Sequence, residues 1–312
     1  MMKKKIILAS TLGLAAAFTG ITWYVGNEVY KETFGAKPRT TADEMERQYW
    51  QEIKKLKPYD HQKFMLESSK NGYLIETLHI KSTRESENAI VLIHGIKSNF
   101  YDLASVALRY LNDGYNVILY NQRQTGLTGG DNFTLGLYER FDLEEIMTVA
   151  RRLYPNGVIG VHGFSMGAAT AAMHAELNKK TRKVDFYVLD SPYHTLESAI
   201  KLRLETDRMF LLRCYTKWAG NIVLRLKEKV KYQDIEPVRA IAHADVPVLL
   251  LHGKKDTVTH PGSSQILHDA IPHKNKKLVY FSGDGHCIMH CEQEAEYFKE
   301  IYSFIANYVL KR

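Results

Sequence analysis

Residues 158–169 constrain the fold of this 312-residue chain more than any other segment. They read VIGVHGFSMGAA, which is an apolar run, a Gly163-x-Ser165-x-Gly167 turn and a series of small residues that suits a helix. Such a turn between a strand and a helix presents the serine hydroxyl above the sheet, and the glycines leave room for the tight corner. The pattern predicts that Ser165 is a nucleophile at the carboxyl end of a strand.

Apolar, β-branched runs alternate with helical patterns from residue 72 onward, which is typical of a mainly parallel sheet covered by helices. We predict strands at residues 72–80, 89–93, 116–120, 158–161, 184–189, 246–251 and 277–281. We predict helices at residues 101–111, 139–153, 166–177, 262–270 and 292–309. The fold class is therefore expected to be α/β.

The interval between the predicted strands 184–189 and 246–251 is too long for a simple crossover. Leu196, Ile200 and Leu204 recur there at helical spacing. Ordinary packing of amphipathic helices explains this spacing, and so does a helical cap over the site, because insertions at the carboxyl ends of strands commonly shape pockets. We favour a cap over about residues 191–245.

The amino terminus carries three lysines at positions 3–5, followed by an uncharged stretch from Ile6 to Val25. A helix of about 20 apolar residues spans a bilayer core. A cleaved signal peptide is the alternative, since the alanines at 15–17 would suit a cleavage site, and a buried core helix is another. We favour a retained transmembrane anchor because Trp23 and Tyr24 suit a membrane interface.

Lysines ahead of a span favour a cytoplasmic amino terminus, so we expect the catalytic domain outside the cytoplasm, on a single-pass anchor. Residues 1–30 are predicted to be this anchor or an uncleaved signal, residues 31–60 a charged stalk with a helix over 41–56, and residues 61–312 the domain.

The net charge of +7 arises from 42 Lys and Arg against 35 Asp and Glu. No basic stripe is interleaved with stacking aromatic residues, which argues against a nucleic-acid partner. A mildly basic, solvated surface near anionic lipid explains the charge better.

The three cysteines are Cys214, Cys287 and Cys291, an odd count without a disulfide framework. His286 and His290 lie beside two of them, as in some metal sites, but no second pair of ligands accompanies this cluster. Reduced, unliganded cysteines are favoured. We predict neither a metal nor an organic cofactor.

A serine hydroxyl is a weak nucleophile unless a nearby base, itself oriented by a carboxylate, accepts its proton. In strand–turn–helix sites of this kind the order along the chain is Ser, then Asp or Glu, then His. Asp256 lies in the loop after the predicted strand 246–251, and His286 lies in a glycine-flanked loop after the predicted strand 277–281. We predict that His286 is the base and Asp256 the orienting carboxylate.

Other residues compete for these roles. His162 and His252 lie at strand ends and would equally serve as structural histidines. Asp284 is the rival carboxylate, although its position two residues before His286 suits a turn former. The position of His286, between the last strand and the last helix, favours it over the other histidines.

The negative charge that develops during attack on a carbonyl requires backbone N–H donors, an oxyanion hole. One predicted donor is the N–H of Met166, directly after the nucleophile. The other is the N–H of Ile96, in the loop after the predicted strand 89–93, where Gly95 permits the turn. The alternative is that His94 and Gly95 merely end a strand.

These motifs together resemble those of the α/β-hydrolases, and more narrowly a bacterial branch of serine aminopeptidases, acyl-ester hydrolases and small membrane-attached hydrolases. The resemblance runs from about residue 72 to the carboxyl end and rests on His94-Gly95, Gly163-x-Ser165-x-Gly167, Leu189-Asp190-Ser191-Pro192, His252-Gly253-x-x-Asp256 and Gly285-His286. It implies an α/β-hydrolase fold, a triad of Ser165, Asp256 and His286, and oxyanion donors at Ile96 and Met166.

The chain departs from the family pattern in one loop. Relatives usually carry an Asp-x-Arg-Gly-x-Gly-like turn where this chain has NQRQTG at residues 121–126. That loop usually borders the site, so the substrates of relatives are not carried over to this chain.

We expect a membrane-tethered serine hydrolase that cleaves carboxylic esters or thioesters through an acyl-enzyme. The apolar residues 209–212 would line an acyl pocket or form the core of the cap. A serine peptidase or amidase acting on short peptides is the first alternative, with Glu197 or Glu205 holding a free amine. A non-catalytic anchored scaffold is the second, and the complete Ser–Asp–His set argues against it.

Overall fold

The computed structural model describes residues 2–35, 44, 47–204, 210–283 and 285–311; for residues 2–12, 201–204 and 210–213 the description is limited to the backbone. The chain forms two compact units. The smaller unit comprises Met1–Gly35 and Arg203–Asp234, and the larger unit comprises Ala36–Leu202 and Ile235–Arg312.

The larger unit is built on a sheet of eight strands in the order β1-β2-β4-β3-β5-β6-β7-β8. The strands are β1 His61–Ser68, β2 Tyr73–Ile80, β3 Ala89–Ile93, β4 Asn116–Tyr120, β5 Ile159–Phe164, β6 Phe186–Asp190, β7 Val248–Gly253 and β8 Lys276–Phe281. Strands β3 to β8 are parallel, and β1 and β2 pair antiparallel at one edge. The carboxyl ends of the parallel strands β3 to β8 therefore all lie at the same end of the sheet.

The described helices are α1 Met2–Phe34, α2 Trp50–Leu56, α3 Ala104–Asn112, α4 Glu139–Leu153, α5 Met166–Thr181, α6 Leu196–Leu204, α7 Phe210–Glu228, α8 Pro237–Ile241, α9 Gly262–Ala270, α10 Met289–Glu292 and α11 Glu294–Phe304. Short 3-10 turns span Phe100–Leu103 and Tyr232–Asp234, and a π-helical turn spans Ile305–Val309.

Both faces of the sheet are buried. Along β3, Ile90 and Leu92 belong to one apolar core, and Val91 and Ile93 belong to the other. A strand buried on both faces reads as a continuous apolar run, as these central strands do. The predicted α/β architecture, a mostly parallel sheet flanked by helices, is confirmed.

The smaller unit pairs α1 with α7. A Cβ atom at Gly26 would lie 2.4 Å from the Ala219 carbonyl oxygen, so the absence of a side chain permits the close approach. A polar contact joins the same helices: the hydroxyls of Thr22 and Tyr215 lie 2.8 Å apart.

None of the described helices is both long enough and apolar enough to cross a membrane. The transmembrane helix predicted over residues 6–25 is therefore not supported. The apolar stretch instead belongs to a longer helix that continues through polar residues to Phe34 and packs on α7.

Candidate active site

The chain turns sharply at Ser165, between β5 and α5. Ser165 has φ 53° and ψ −114°, a backbone conformation that costs a non-glycine residue about 1–3 kcal/mol. The two flanking glycines make the corner possible. A Cβ at Gly163 would lie 2.3 Å from the Gly167 carbonyl oxygen, and one at Gly167 would lie 2.3 Å from the Ile93 carbonyl oxygen.

Two backbone hydrogen bonds hold the corner in place. The Ser165 N–H donates to the Asp190 carbonyl at the end of β6, at 2.9 Å, and the Ser165 carbonyl accepts from the Ala169 N–H at 3.0 Å. The serine is therefore fixed at the carboxyl ends of neighbouring parallel strands.

Asp256 and His286 come together from the loops after β7 and β8. Nδ1 of His286 lies 2.7 Å from Oδ2 of Asp256. The other carboxylate oxygen accepts hydrogen bonds from the N–H groups of Val258 and Thr259, at 2.8 and 3.0 Å. These contacts hold the carboxylate of Asp256 in place next to the His286 imidazole.

Burial raises the pKa of Asp256, but hydrogen bonds from His252 and His286 outweigh it and hold the pKa well below its usual range. The carboxylate is therefore ionised, and its Oδ2 accepts a hydrogen bond from the Nδ1–H group of His286. In this tautomer of neutral His286, Nε2 carries the free lone pair that a general base needs.

Cys287 occupies the other side of the imidazole. Its Sγ lies 3.6 Å from His286 Nε2 and 3.8 Å from the Asp190 carbonyl oxygen, and it contacts the backbone of Ser165. Burial raises the pKa of this thiol well above its usual value, so the sulfur is protonated.

Within residues 47–204, 210–283 and 285–311, no hydrogen bond joins the Ser165 hydroxyl to His286. The structure links Asp256 and His286 directly, and Cys287 contacts both His286 and the backbone of Ser165. Catalytic hydrogen bonds are often loose before substrate binds, so this geometry does not remove His286 as the base.

The loop after β3 lies against Ser165. A Cβ at Gly95 would lie 3.5 Å from Cβ of Ser165, so the next residue, Ile96, is close to Ser165. In the described part of the chain, the N–H groups of Ile96 and Met166 donate no hydrogen bond. Both are available to an oxyanion.

The two rival histidines have different surroundings. His162 is buried between the hydroxyls of Tyr110 and Tyr297, at 3.1 and 3.0 Å, and burial holds its pKa well below the usual value. His252 lies 3.3 Å from Oδ2 of Asp256, the same carboxylate oxygen that contacts His286. The rival carboxylate, Asp284, lies outside the described residues.

Sequence reasoning missed two contributors to this site, Thr259 and Gln122, and named His252 only as a structural histidine. The Thr259 hydroxyl lies 3.1 Å from Asp256 Oδ2 and 3.3 Å from His286 Nδ1. His252 supports the same carboxylate, and Gln122 holds the loop after β3 through His94. Only Thr259 lies in a segment with a local signal, because an aspartate side chain commonly bonds the backbone two residues on and so holds the following residues beside it.

Other residues predicted from the sequence belong to the segment between β6 and β7. Glu205 and Met209 lie outside the described residues, the side chains of residues 210–212 are not described, and Glu197 lies in α6. Among the side chains that the structure describes, no group of three or more His, Cys, Asp or Glu residues has an arrangement that would hold a metal ion.

Two family models match this chain. The model described as the alpha/beta hydrolase fold matches residues 88–234. The model described as serine aminopeptidase S33 matches residues 233–294. The two matches adjoin and together contain Ser165, Asp256 and His286.

One sequence relative and two solved structures illustrate what this chain is similar to. The uncharacterized protein YqkD of Bacillus subtilis is 26% identical over 76% of this chain and 76% of its own length. An esterase of Pyrococcus furiosus, Pf2001, superposes with a TM-score of 0.66 at 20% identity, over 88% of this chain and 99% of its own. An acylaminoacyl peptidase of Pyrococcus horikoshii superposes with a TM-score of 0.62 at 18% identity, over 83% of this chain and 43% of its own.

Proposed function

We propose that this chain, which belongs to the α/β-hydrolase superfamily, is a serine hydrolase that cleaves carboxylic esters or thioesters through an acyl-enzyme. The observation that carries the proposal is the 2.7 Å contact between His286 Nδ1 and Asp256 Oδ2, next to a serine held at φ 53°. A strained serine beside an oriented imidazole is the arrangement that activates a hydroxyl.

In the proposed reaction the Ser165 hydroxyl oxygen attacks the carbonyl carbon while His286 Nε2 takes its proton. Asp256 stabilises the imidazolium that forms. The N–H groups of Ile96 and Met166 receive the oxyanion. His286 then protonates the departing alcohol or thiol, which leaves an ester bond between Ser165 and the acyl group.

Water completes the cycle. His286 removes a proton from the water molecule, whose oxygen attacks the acyl carbonyl, and then returns the proton to the Ser165 oxygen as the carboxylic acid leaves. The complete reaction consumes only the substrate and one water molecule. The esterase of Pyrococcus furiosus shares the fold, which makes ester hydrolysis the first activity to test.

Labelling with a fluorophosphonate and turnover of p-nitrophenyl esters of graded chain length test the proposal. Ser165→Ala should abolish labelling and lower kcat by several orders of magnitude. The matched control is Ser263→Ala, because Ser263 Oγ also lies beside a histidine, 3.0 Å from His194 Nδ1. Wild-type protein that neither reacts with the probe nor hydrolyses an ester would contradict the proposal and favour a binding scaffold.

A serine peptidase or amidase is the second candidate. The serine aminopeptidase model matches the segment that carries Asp256 and His286, and the Pyrococcus horikoshii neighbour is an acylaminoacyl peptidase. Comparing kcat/KM for a p-nitrophenyl ester with kcat/KM for an aminoacyl-nitroanilide distinguishes the two. A higher kcat/KM for the anilide would favour a peptidase over an ester hydrolase.

A membrane-tethered location outside the cytoplasm stays a prediction from the sequence. Protease treatment of intact cells tests it: cleavage before lysis supports that location, whereas protection until lysis contradicts it.

A further inference from the structure

Gln122 is a fully buried polar residue two positions after the end of β4, and its side-chain amide links two other elements. Its Nε2 donates to the carbonyl oxygen of His94 at 2.5 Å. Its Oε1 lies 3.1 Å from the hydroxyl of Thr170 on α5. The side chain therefore joins the loop after β3 to the helix that follows the nucleophile.

Those two elements carry the two N–H groups assigned to the oxyanion. His94 precedes Ile96 by two residues, and Thr170 lies one helical turn after Met166. The Thr170 hydroxyl also lies 2.9 Å from the Met166 carbonyl oxygen. The amide of Gln122 thus connects the loop that carries the Ile96 N–H to the helix that carries the Met166 N–H. Without this amide, the loop and the helix would lose a contact that holds them together.

The backbone of Gln122 adds a second link. Its N–H donates to Nε2 of His94 at 2.9 Å, which leaves the proton of the neutral ring on Nδ1. Nδ1 lies 2.7 Å from the Gly95 carbonyl oxygen and donates to it. Burial lowers the pKa of His94 to about 4, so the ring is neutral at ordinary pH.

The Gly95 carbonyl and the Ile96 N–H belong to the same planar peptide group. In a trans peptide the two bonds point in opposite directions, so holding the carbonyl oxygen against His94 aims the Ile96 N–H away from His94. The orientation of the donor is therefore set by a chain of contacts that begins at Gln122.

We infer that Gln122 is a positioning residue of the oxyanion hole, which fixes both the separation of the Ile96 and Met166 donors and the direction of the first. The inference rests on the proposed serine hydrolase function. Gln122 touches neither the nucleophile nor the base, so it acts through His94 and Thr170.

Three variants test this inference. Gln122→Met keeps the approximate shape and removes all polar contacts of the side chain. Gln122→Glu keeps the shape and places a carboxylate oxygen against the His94 carbonyl. Thr170→Val removes the hydroxyl contact on the other side. Asn178→Leu is the matched control, because Asn178 is also a buried amide on α5, bonded to Val184 and Lys183 at the far end of that helix.

The measurements are kcat and KM with a p-nitrophenyl ester, and the inhibition constants of an alkyl boronic acid and of a ketone analogue of the substrate that forms no adduct. The boronic acid forms a tetrahedral adduct, and the ketone reports binding alone. For Gln122→Met and Gln122→Glu we expect kcat to fall about 10- to 100-fold, with KM within about threefold. Boronate inhibition should weaken by the same factor as kcat, and ketone inhibition should not change. Thr170→Val should show a smaller fall of the same kind.

Asn178→Leu should lower the melting temperature and leave kcat unchanged. The inference is overturned if the folded Gln122 variants retain wild-type kcat, or if ketone and boronate inhibition weaken equally. If Gln122→Met does not fold, the same comparison of boronate inhibition with ketone inhibition in Thr170→Val and Gln122→Glu tests the inference. A wild-type protein without esterase activity would instead contradict the proposed function itself, so the two failures are distinct.

Discussion

Nε2 of His286 lies 3.6 Å from Sγ of Cys287, across the ring from the nitrogen that Asp256 holds. In the proposed mechanism the Ser165 hydroxyl must donate to this same nitrogen. A thiol is a weak hydrogen-bond donor, and burial raises the pKa of Cys287 well above its usual value, so the sulfur keeps its proton. Nε2 of His286 therefore has only a weak hydrogen-bond partner, the Cys287 thiol. In the proposed mechanism the Ser165 hydroxyl replaces this thiol with little loss of free energy.

Replacing Cys287 measures that competition. Cys287→Ala should leave kcat for ester hydrolysis within about threefold of wild type, because a weak donor is lost. Cys287→Ser should lower kcat about fivefold, the effect of a hydroxyl that competes better for Nε2. Cys291→Ala serves as the control, since Cys291 is exposed. A fall of more than a hundredfold in Cys287→Ala would mean that the thiol takes part in the reaction.

Removing the charge of Asp256 should remove the orientation of His286. Asp256→Asn presents an amide to Nδ1 and favours the wrong tautomer of the ring, so we expect kcat to fall about 10³- to 10⁴-fold. Asp269→Asn is the matched control, because Asp269 also lies beside a histidine, 3.1 Å from His268 Nδ1, but is exposed. Equal kcat values in the two variants would exclude Asp256 from the proposed triad.

Much of the larger unit could be predicted from local patterns. The bounds of β3, β4, α4 and α9 agree with the predicted segments, because each is bounded by turn residues and has an apolar run of the right period. β1 was missed, since its sequence HQKFMLES mixes exposed and buried positions at the edge of the sheet. The sequence of an edge strand carries little of the signal that a buried strand has.

The remaining differences come from contacts between distant parts of the chain. The apolar stretch of α1 has the composition of a membrane span, and its packing on α7 depends on Gly26 meeting Ala219, which no local pattern reveals. The same holds for His252 beside Asp256 and for Gln122 beside His94. The roles of Ser165, Asp256, His286, Ile96 and Met166 stay predictions until the variants are measured.

Two glycines near Ser165 should differ in how much their substitution by alanine changes the stability of the protein. A Cβ at Gly163 would meet backbone atoms of Gly167 and Ala168 at 2.3–2.6 Å, so Gly163→Ala should lower the free energy of unfolding by about 3 kcal/mol. At Gly95 the nearest atom would be Ser165 Cβ, at an ordinary 3.5 Å.

Gly95→Ala should therefore fold with a stability within about 0.5 kcal/mol of wild type. Its methyl group would narrow the space beside the nucleophile and lower kcat/KM about tenfold. Urea unfolding and ester kinetics on both variants check the contrast. A destabilised Gly95→Ala, or a stable Gly163→Ala, would show that the corner is not packed as described.

The pairing of α1 with α7 predicts a similar contrast in the smaller unit. Gly26→Leu places a side chain against Ala219 and Val223 and should destabilise the unit by about 2–3 kcal/mol. Gly20→Leu is the control, since a Cβ at Gly20 would meet nothing within 4 Å and leucine favours a helix. Limited proteolysis within residues 210–228 reports the difference, and equal cleavage rates in the two variants would contradict the helix pair.

The buried neutral His94 should make stability depend on pH. Burial lowers the pKa of His94 to about 4, whereas an unfolded histidine titrates near 6.5. Between these values the unfolded chain binds a proton that the folded chain does not, so the contribution to stability is full above about pH 6.5 and falls as the pH drops towards 4. The loss at pH 4 is about 3 kcal/mol.

Because His162 and His174 also have lowered pKa values, the measurement is the difference between wild type and His94→Asn in urea unfolding at neutral and acidic pH. The wild-type protein should lose about 3 kcal/mol more than the variant, and identical losses would mean that His94 is not the buried neutral group that orients the Gly95 peptide.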